Sequence, residues 1–393
     1  MQYRELKNQD KLSILGFGCM RFPKKGPGFN MDEIEREVLY AIEQGVTYFD
    51  TAYVYPGSEE ALGTVLAKNH CRDKVTIASK LPHYLLKTLD DAKRIFEEEC
   101  KRLQTDHIDY YLMHMLTDVK TWERLKSIGL LEWLETLRSE GRIRRIGFSY
   151  HGSTAEFLDL LNAYDWEFCQ IQYNYLDENS QAGRAGLKAA AAKGIPVMIM
   201  EPLRGGKLVS HLPSKAMDAF AHTTPKRSPA EWAFRWLWNQ PEVSVVLSGM
   251  NSMEMLQENI RIASEVEVNA LTDEEMKLYE TVKAAIREKT KVPCTGCAYC
   301  MPCPKGVDIP GSFQCYNMSY AEGFINSMRE YVMCSVTRGE PRQVSQCIEC
   351  GKCEQHCPQH IEIRKELKQV KKRFESNPIY ALIAFVMKKR YQK

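Results

Sequence analysis

Eight short runs rich in β-branched and aromatic residues punctuate the first two thirds of the chain, at 14–19, 46–50, 75–80, 108–114, 143–149, 168–174, 196–200 and 243–249. Between them lie stretches with helical apolar spacing, near 31–45, 58–68, 88–104, 130–140, 153–163, 180–193 and 228–239, with another after Ser252. Such alternation calls for a parallel sheet with right-handed crossovers, and eight strands is the number that closes a barrel. An open, doubly wound sheet is the alternative. It would want a Gly-rich phosphate turn after its first strand, and Gly16-Phe-Gly18-Cys-Met-Arg21 lacks both the third glycine and the helix behind it. The expected fold is therefore α/β, a closed (β/α)8 barrel. Ahead of it, residues 1–15 alternate apolar and polar around Asn8-Gln-Asp10, which predicts a small hairpin.

Barrels of this kind keep their chemistry where strands end and βα loops begin. The run Val46-Thr-Tyr-Phe-Asp50 ends on a carboxylate, and Tyr55 follows in a Pro-Gly turn. The runs after it end on Lys80 and His114. A free tyrosine has a pKa near ~10, too high for easy proton exchange at neutral pH. A neighbouring ammonium lowers it, and a carboxylate holds the lysine in place. Tyr55 is thus the expected general acid, Lys80 its tuner and Asp50 the lysine's partner. His114 would hydrogen-bond a carbonyl oxygen. Taken singly, Asp50 could be a helix cap, Lys80 a rim charge and His114 a satisfied strand-end histidine. Four such residues at successive strand ends argue for the site.

The chain of 393 residues is long for one barrel, so two domains are expected. A net charge of +2 gives no reason to expect nucleic acid as a partner. No apolar stretch approaches a membrane span, and Met1-Gln-Tyr-Arg-Glu-Leu-Lys7 carries no signal-peptide core, so a cytoplasmic protein is expected. Cysteine is the anomaly: of 14 cysteines, eight fall in two tight groups after Pro293. In a reducing compartment that points to metal rather than disulfides. It also sets a domain boundary near 290, giving a barrel over 1–290 and a second domain over 291–393. Thr272-Asp-Glu-Glu275 has capping-box spacing and predicts a helix to about Lys289, one that could cap the barrel.

Residues 1–290 resemble the aldo-keto reductases. Asp50-Thr-Ala-x-x-Tyr55 with Glu59, Ser79-Lys80 and Leu112-Met-His114 match that family's acid and tetrad motifs. Gly141-Arg-Ile-Arg-Arg-Ile-Gly-Phe-Ser149, Gln170-Ile-Gln-Tyr-Asn174, Glu201-Pro-Leu203 and Glu258-Asn259 follow in the family's order. The resemblance implies a TIM barrel that interconverts a small-molecule carbonyl and alcohol with NADP(H) or NAD(H). It assigns Ser149 and Gln170 to the nicotinamide carboxamide, and Cys19, Met20 and Arg21 to the first-strand cofactor contacts. It assigns Glu201, Leu203, Gly205 and Lys207 to the strap over the cofactor. Met200 stands where the family stacks a tyrosine on the nicotinamide, and Tyr150 where it has asparagine. Gly249, Met250 and Met255 stand where phosphate-preferring members carry lysine, a hydroxyl and arginine. A 2′-phosphate needs cations, so NADH is at least as good an expectation as NADPH. His151, just past Ser149, reads as a solvated loop histidine.

The second cysteine group, Cys347-Ile-Glu-Cys350-Gly-Lys-Cys353-Glu-Gln-His-Cys357-Pro358, has spacing that wraps three thiolates around one iron–sulfur cluster and sends the fourth to another. The first, Cys294-Thr-Gly-Cys297-Ala-Tyr-Cys300-Met-Pro-Cys303-Pro304, is one residue shorter before its last cysteine. Together they resemble a two-cluster ferredoxin module. By that resemblance Cys294, Cys297, Cys300 and Cys357 hold one [4Fe-4S] cluster, and Cys347, Cys350, Cys353 and Cys303 the other. The long segment between the groups predicts an α-helical ferredoxin-like domain, with a stop at Ile309-Pro310 and a helical pattern from Tyr320 to Tyr331. Two structural zinc sites are the competing assignment, although zinc folds usually draw ligands from separated pairs. Cys315 and Cys334 read as packed thiols. Residues 291–393 carry sixteen Lys and Arg against nine Asp and Glu. The basic excess suits an acidic electron carrier such as a ferredoxin or flavodoxin. The run Ile379–Met387 reads as a terminal helix docked on the protein, with membrane-surface or partner docking as the other choices.

The main expectation is a redox enzyme whose barrel exchanges hydride and whose module moves single electrons. A nicotinamide-binding sensor and a plain reductase with structural clusters are the alternatives. The loops that would choose the substrate, Phe22–Asn30, Met115–Ile128 and Leu208–Lys226, carry no interpretable motif.

Overall fold

All eight expected strands form: β1 (Leu15–Gly18), β2 (Tyr48–Asp50), β3 (Thr76–Leu81), β4 (Ile108–Met113), β5 (Ile143–Tyr150), β6 (Phe168–Gln172), β7 (Val197–Met200) and β8 (Val243–Ser248). They pair in parallel and in chain order, and β8 returns to β1 to close the barrel. The computed structural model describes residues 1–393 except 8, 9, 153, 211, 289, 295, 297–299, 322, 337–341, 358, 359, 392 and 393, and except the side chains of 390 and 391. Two compact units emerge, one of residues 1–205 with 228–272, the other of 206–227 with 273–393.

Inside the barrel, Tyr48, Ala78, Tyr110, Leu112, Phe168, Met198, Val245 and Leu247 form one apolar cluster. Tyr110 meets Tyr48 and Phe168 edge-on, with ring centroids 5.5 and 4.6 Å apart. Gly16 is required by this packing, since a Cβ there would lie 2.7 Å from Leu247. The expected hairpin pairs Tyr3–Glu5 with Lys11–Ser13 and adds Leu6 and Leu12 to the same cluster; Asn8 and Gln9 lie outside the described residues. Asp10, buried behind it, accepts from the Tyr110 hydroxyl at 2.7 Å and from Arg145 Nε at 2.9 Å. These contacts fall early in β4 and β5, so the hairpin plugs the N-terminal end and leaves the C-terminal rim for chemistry.

Two of the three loops that carry no interpretable motif contain helices, one of them Ser214–Ala221. Within 115–128, Val119–Ser127 is helical, capped by Asp118, whose carboxylate accepts from the Thr121 N–H at 2.7 Å, and it buries Trp122 and Leu125. The cap signal was legible, but two buried positions are too few to display a period.

In the second unit, Ile309–Ala321 and Phe324–Ser335 form helices, as do Ile363–Arg373 and Pro378–Tyr391. Ile309-Pro310, expected as a stop, is a start. Proline suits the first turn, where an N–H has no helical acceptor. The helix Asp273–Arg287 packs with Ser214–Ala221 in this unit. Phe313, Met328, Tyr331, Val344, Leu367, Val370 and Phe374 make the core, and Cys294, Cys300, Cys303, Cys347, Cys353 and Cys357 pack against it. Arg373 is not a free surface charge. Its guanidinium lies 4.3 Å from the Tyr320 ring and 4.7 Å from the Phe324 ring and donates to the Ser319 carbonyl at 3.1 Å. Among the described residues, no helix is long and apolar enough to cross a membrane.

Candidate active site and cysteine-lined cavity

The C-terminal end of β2 and the loop leaving it are tied at several points. The Thr51 N–H donates to Ala78 O at 2.8 Å, Thr51 Oγ1 lies 2.8 Å from Ser58 Oγ, and the Ser58 hydroxyl donates to Cys19 O at 3.0 Å. Tyr55 N–H donates to Ala52 O and Ser58 N–H to Tyr55 O, so Tyr55 sits in a closed turn. Gly57 completes it with φ 74°, and a Cβ there would lie 2.9 Å from the Phe29 ring. The turn is thereby fixed before any ligand arrives.

Lys80, 1 % exposed, places Nζ 2.6 Å from Asp50 Oδ1 and 2.6 Å from Thr51 O. The same nitrogen lies 5.1 Å from the centre of the Tyr55 ring. Burial pulls the Lys80 pKa down, and the Asp50 carboxylate more than restores it, so the lysine stays an ammonium. Burial raises the Asp50 carboxyl against the pull of Lys80. For Tyr55 the sequence expectation needs correction. Burial pushes its phenol up, and Lys80 opposes that push without reversing it. Tyr55 therefore holds its proton throughout the neutral range.

His114 continues β4, its N–H donating to Leu81 O at 2.9 Å. Its ring stands edge-on to Tyr55 with centroids 6.1 Å apart. Burial, with help from Lys80, holds its imidazole well below the usual range, so it is neutral at pH 7. Its Nδ1 is buried without a hydrogen-bond partner. Two neighbours were missed in the sequence. Tyr84, half exposed, has its ring 6.2 Å from His114, and the His83 ring sits beside Tyr84. The signal was present in Lys80-Leu-Pro-His-Tyr84, an imidazole and a phenol directly after a strand end. His151 is half-buried rather than solvated, its Nδ1 3.2 Å from Gln181 Oε1, and its charge helps depress His114.

Ser149 and Gln170 stand directly opposite each other across β5 and β6. Ser149 Oγ accepts from the Met115 N–H at 2.8 Å, leaving its own proton to donate, and Gln170 Oε1 is buried without a partner. Met200 ends β7 and is only partly buried. Arg21, at the exit of β1, lies 3.7 Å from Glu201. A Cβ on Gly205 would come within 2.9 Å of the Arg21 guanidinium, and one on Gly249 within 3.3 Å of its Cδ. Arg21, Glu201, Gly205 and Gly249 thus meet around one cationic group, next to buried Cys19 and exposed Met20. Leu203 is partly buried in the same turn, while Lys207 opens a short helix of the second unit. Met250 is 1 % exposed and offers nothing to a phosphate. Glu258 accepts from the Ser228 hydroxyl at 2.6 Å, and Asn259 Nδ2 donates to Ser248 Oγ at 3.0 Å. Beneath Lys80, Ser79 donates to Glu59 at 2.6 Å and lies 3.0 Å from Glu99. Burial and the Glu59 charge raise Glu99 well above the usual range, so Glu99 keeps its proton while Arg102 pairs with Glu59.

The second unit contains a cavity of about 180 Å³ whose lining includes Cys300, Cys303, Cys347, Cys350 and Cys353. Both cysteine groups therefore reach one space. Lys352 and Arg364 stand at its wall. Cys294 and Cys357 pack against the same core, and Cys297 lies outside the described residues.

A closed parallel barrel with an ion pair, a tyrosine and a neutral histidine at its C-terminal rim defines an enzyme of the TIM-barrel class, here an NAD(P)H-dependent oxidoreductase. More narrowly, the chain belongs to the aldo/keto reductase family, whose model matches residues 14–284. Residues 293–362 match the model of the 4Fe-4S dicluster domain. Curated relatives include Protein tas of Escherichia coli, 26 % identical over 66 % of this chain and 92 % of that protein. An aldo-keto reductase of Mycolicibacterium vanbaalenii is 31 % identical over 58 % of this chain and 77 % of the relative. Among solved structures, an aldo-keto reductase from Bacillus halodurans superposes with a TM-score of 0.59 at 24 % identity, covering 72 % of this chain and 96 % of that one. One from Klebsiella pneumoniae in complex with NADPH gives 0.59 at 23 %, covering 72 % and 95 %. At these identities the superpositions speak for the fold.

Proposed function

We propose that the barrel interconverts a small-molecule carbonyl and its alcohol, with Tyr55 as general acid in reduction and general base in oxidation. The observation that carries this is the buried Lys80–Asp50 pair at 2.6 Å set against the Tyr55 ring. NADH or NADPH, when bound, supplies or takes the hydride. The chain does the rest. Gln170 and Ser149 offer an acceptor and a donor to the carboxamide, and Arg21 offers a cation to the pyrophosphate. Neutral His114 donates a hydrogen bond to the substrate oxygen, and Tyr55 delivers the proton to that oxygen. Because Tyr55 stays protonated, reduction is the direction its resting state favours. Tyr55→Phe tests the assignment. It should cut carbonyl reduction by on the order of 10²–10⁴ and leave nicotinamide binding, followed by fluorescence, nearly unchanged. Turnover equal to wild type would remove Tyr55 from the mechanism.

We further propose that the functional division falls near residue 290 and that the second domain holds two [4Fe-4S] clusters. Cys347, Cys350, Cys353 and Cys303 would hold one, and Cys294, Cys297, Cys300 and Cys357 the other. The cysteine-lined cavity brings Cys303 into the same space as the second group, as the first set requires, together with Cys300 of the other set. The clusters would pass single electrons to or from an acidic carrier such as a ferredoxin or flavodoxin, to which exposed Lys371 and Lys372 offer positive charge.

A further inference from the structure

The helix Pro378–Tyr391 is apolar nearly all round, a pattern that belongs to a helix covered on every side. Among the described residues, one side is covered. Tyr380 and Ile383 pack on the core, and the Tyr380 hydroxyl accepts from Gln343 at 2.8 Å. The opposite side leaves Ile379, Leu382, Phe385 and Val386 exposed by 43, 64, 67 and 54 %. At 100° per residue these four fall within a sector about 120° wide. Lys389 falls in the same sector and Lys388 about 60° outside it, and both are exposed. The sequence from Ser376 onward has no Asp or Glu and four Lys or Arg.

We propose that this face docks the protein on an anionic lipid surface, lying in the plane of the interface with Leu382 and Phe385 immersed and the lysines on the headgroups. An uncovered apolar face could instead belong to a second copy or another protein. The charge decides for lipid, since a stripe of bulky apolar residues closed by cations and free of carboxylates is what an anionic bilayer surface attracts. The helix of 14 residues is about 21 Å long, too short to span a hydrocarbon core of about 30 Å. It therefore lies on the membrane. The proposal is independent of the reaction assigned to the barrel.

Flotation of the full-length protein with vesicles tests it. Wild type should float with phosphatidylcholine vesicles containing about one third phosphatidylglycerol and stay behind with phosphatidylcholine alone. Leu382→Glu with Phe385→Glu should abolish flotation. Both residues are exposed, so helix content by circular dichroism should be unchanged and serves as the check on folding of the unit that carries them. Lys388→Glu with Lys389→Glu should weaken binding by roughly thirtyfold or more, at about fivefold per basic residue. Failure of wild type to float at low salt overturns the proposal. So does flotation that survives the Leu382 and Phe385 changes. A dimer in sedimentation that those two changes dissociate, with no vesicle binding, would give the face to a second copy instead.

Discussion

Lys80→Met isolates the energetics of the rim. The substitution keeps the stem and removes the ammonium, leaving the Asp50 carboxylate 4 % exposed and without its partner at 2.6 Å. Breaking a buried pair by deleting one side costs about 3–5 kcal/mol, because the remaining charge stays desolvated. Asp50 can escape by taking up a proton, so the loss depends on pH. Burial already raises its pKa in the wild type, and without Lys80 the rise is larger. The folded variant then keeps a proton that the unfolded chain releases above about pH 4. Stability therefore falls as pH rises from there, and wild type shares this fall until its own Asp50, also raised, ionises. Above that point the variant loses about a further 1.4 kcal/mol per pH unit relative to wild type, until its own folded carboxyl ionises. Lys80 in the wild type adds no slope in this window. Its raised pKa contributes stability that is whole below the unfolded lysine value and lost only above it. The assay is urea unfolding followed by tryptophan fluorescence. All six tryptophans lie between Trp122 and Trp238, within the barrel unit, so the signal reports that unit alone. The expected result is a deficit of about 3–5 kcal/mol at pH 7 that shrinks toward pH 5. Most of it should be recovered in Lys80→Met/Asp50→Asn, where neither charge remains. A deficit under about 1 kcal/mol, one that ignores pH, or a double variant as unstable as the single one would refute the reasoning.

Since Gly249, Met250 and Met255 supply no cation, NADH should bind within about tenfold of NADPH, or about 1.4 kcal/mol; a thousandfold preference for NADPH in a fluorescence titration would mean a phosphate site elsewhere. Anaerobically purified protein should hold about eight iron and eight sulfide, and Cys303→Ala should lower both. Stoichiometric zinc without acid-labile sulfide would sink the cluster assignment. Reversing Lys371 and Lys372 should slow cluster reduction by an acidic carrier at about 0.01 M salt and matter little at about 0.1 M, where the Debye length has shrunk to roughly 10 Å. Arg373→Glu should instead destabilise the second unit, because that guanidinium is packed on Tyr320 and Phe324.

The sequence by itself determined the barrel and its functional rim. Eight buried strands read as apolar runs because both faces are covered, and Asp50, Lys80 and His114 stand out because each ends such a run. Cysteine spacing made the match to a 4Fe-4S dicluster domain legible for a similar reason, since a cluster loop dictates local spacing. Tertiary structure alone decided how those residues behave. Proximity could be guessed for Tyr55 and Lys80, but the upward push on the phenol comes from burial, a sum over neighbours that no single stretch displays. Tyr84 and the half-buried His151 joined His114 only when loops from separate strands met. In the run Lys371-Lys-Arg373 nothing in the sequence sets the third cation apart; only the packing of Tyr320 and Phe324 beneath it does. The apolar run near the end of the chain could be read as a helix from sequence. That one face would be covered and the other left open follows only from what the rest of the unit packs against it.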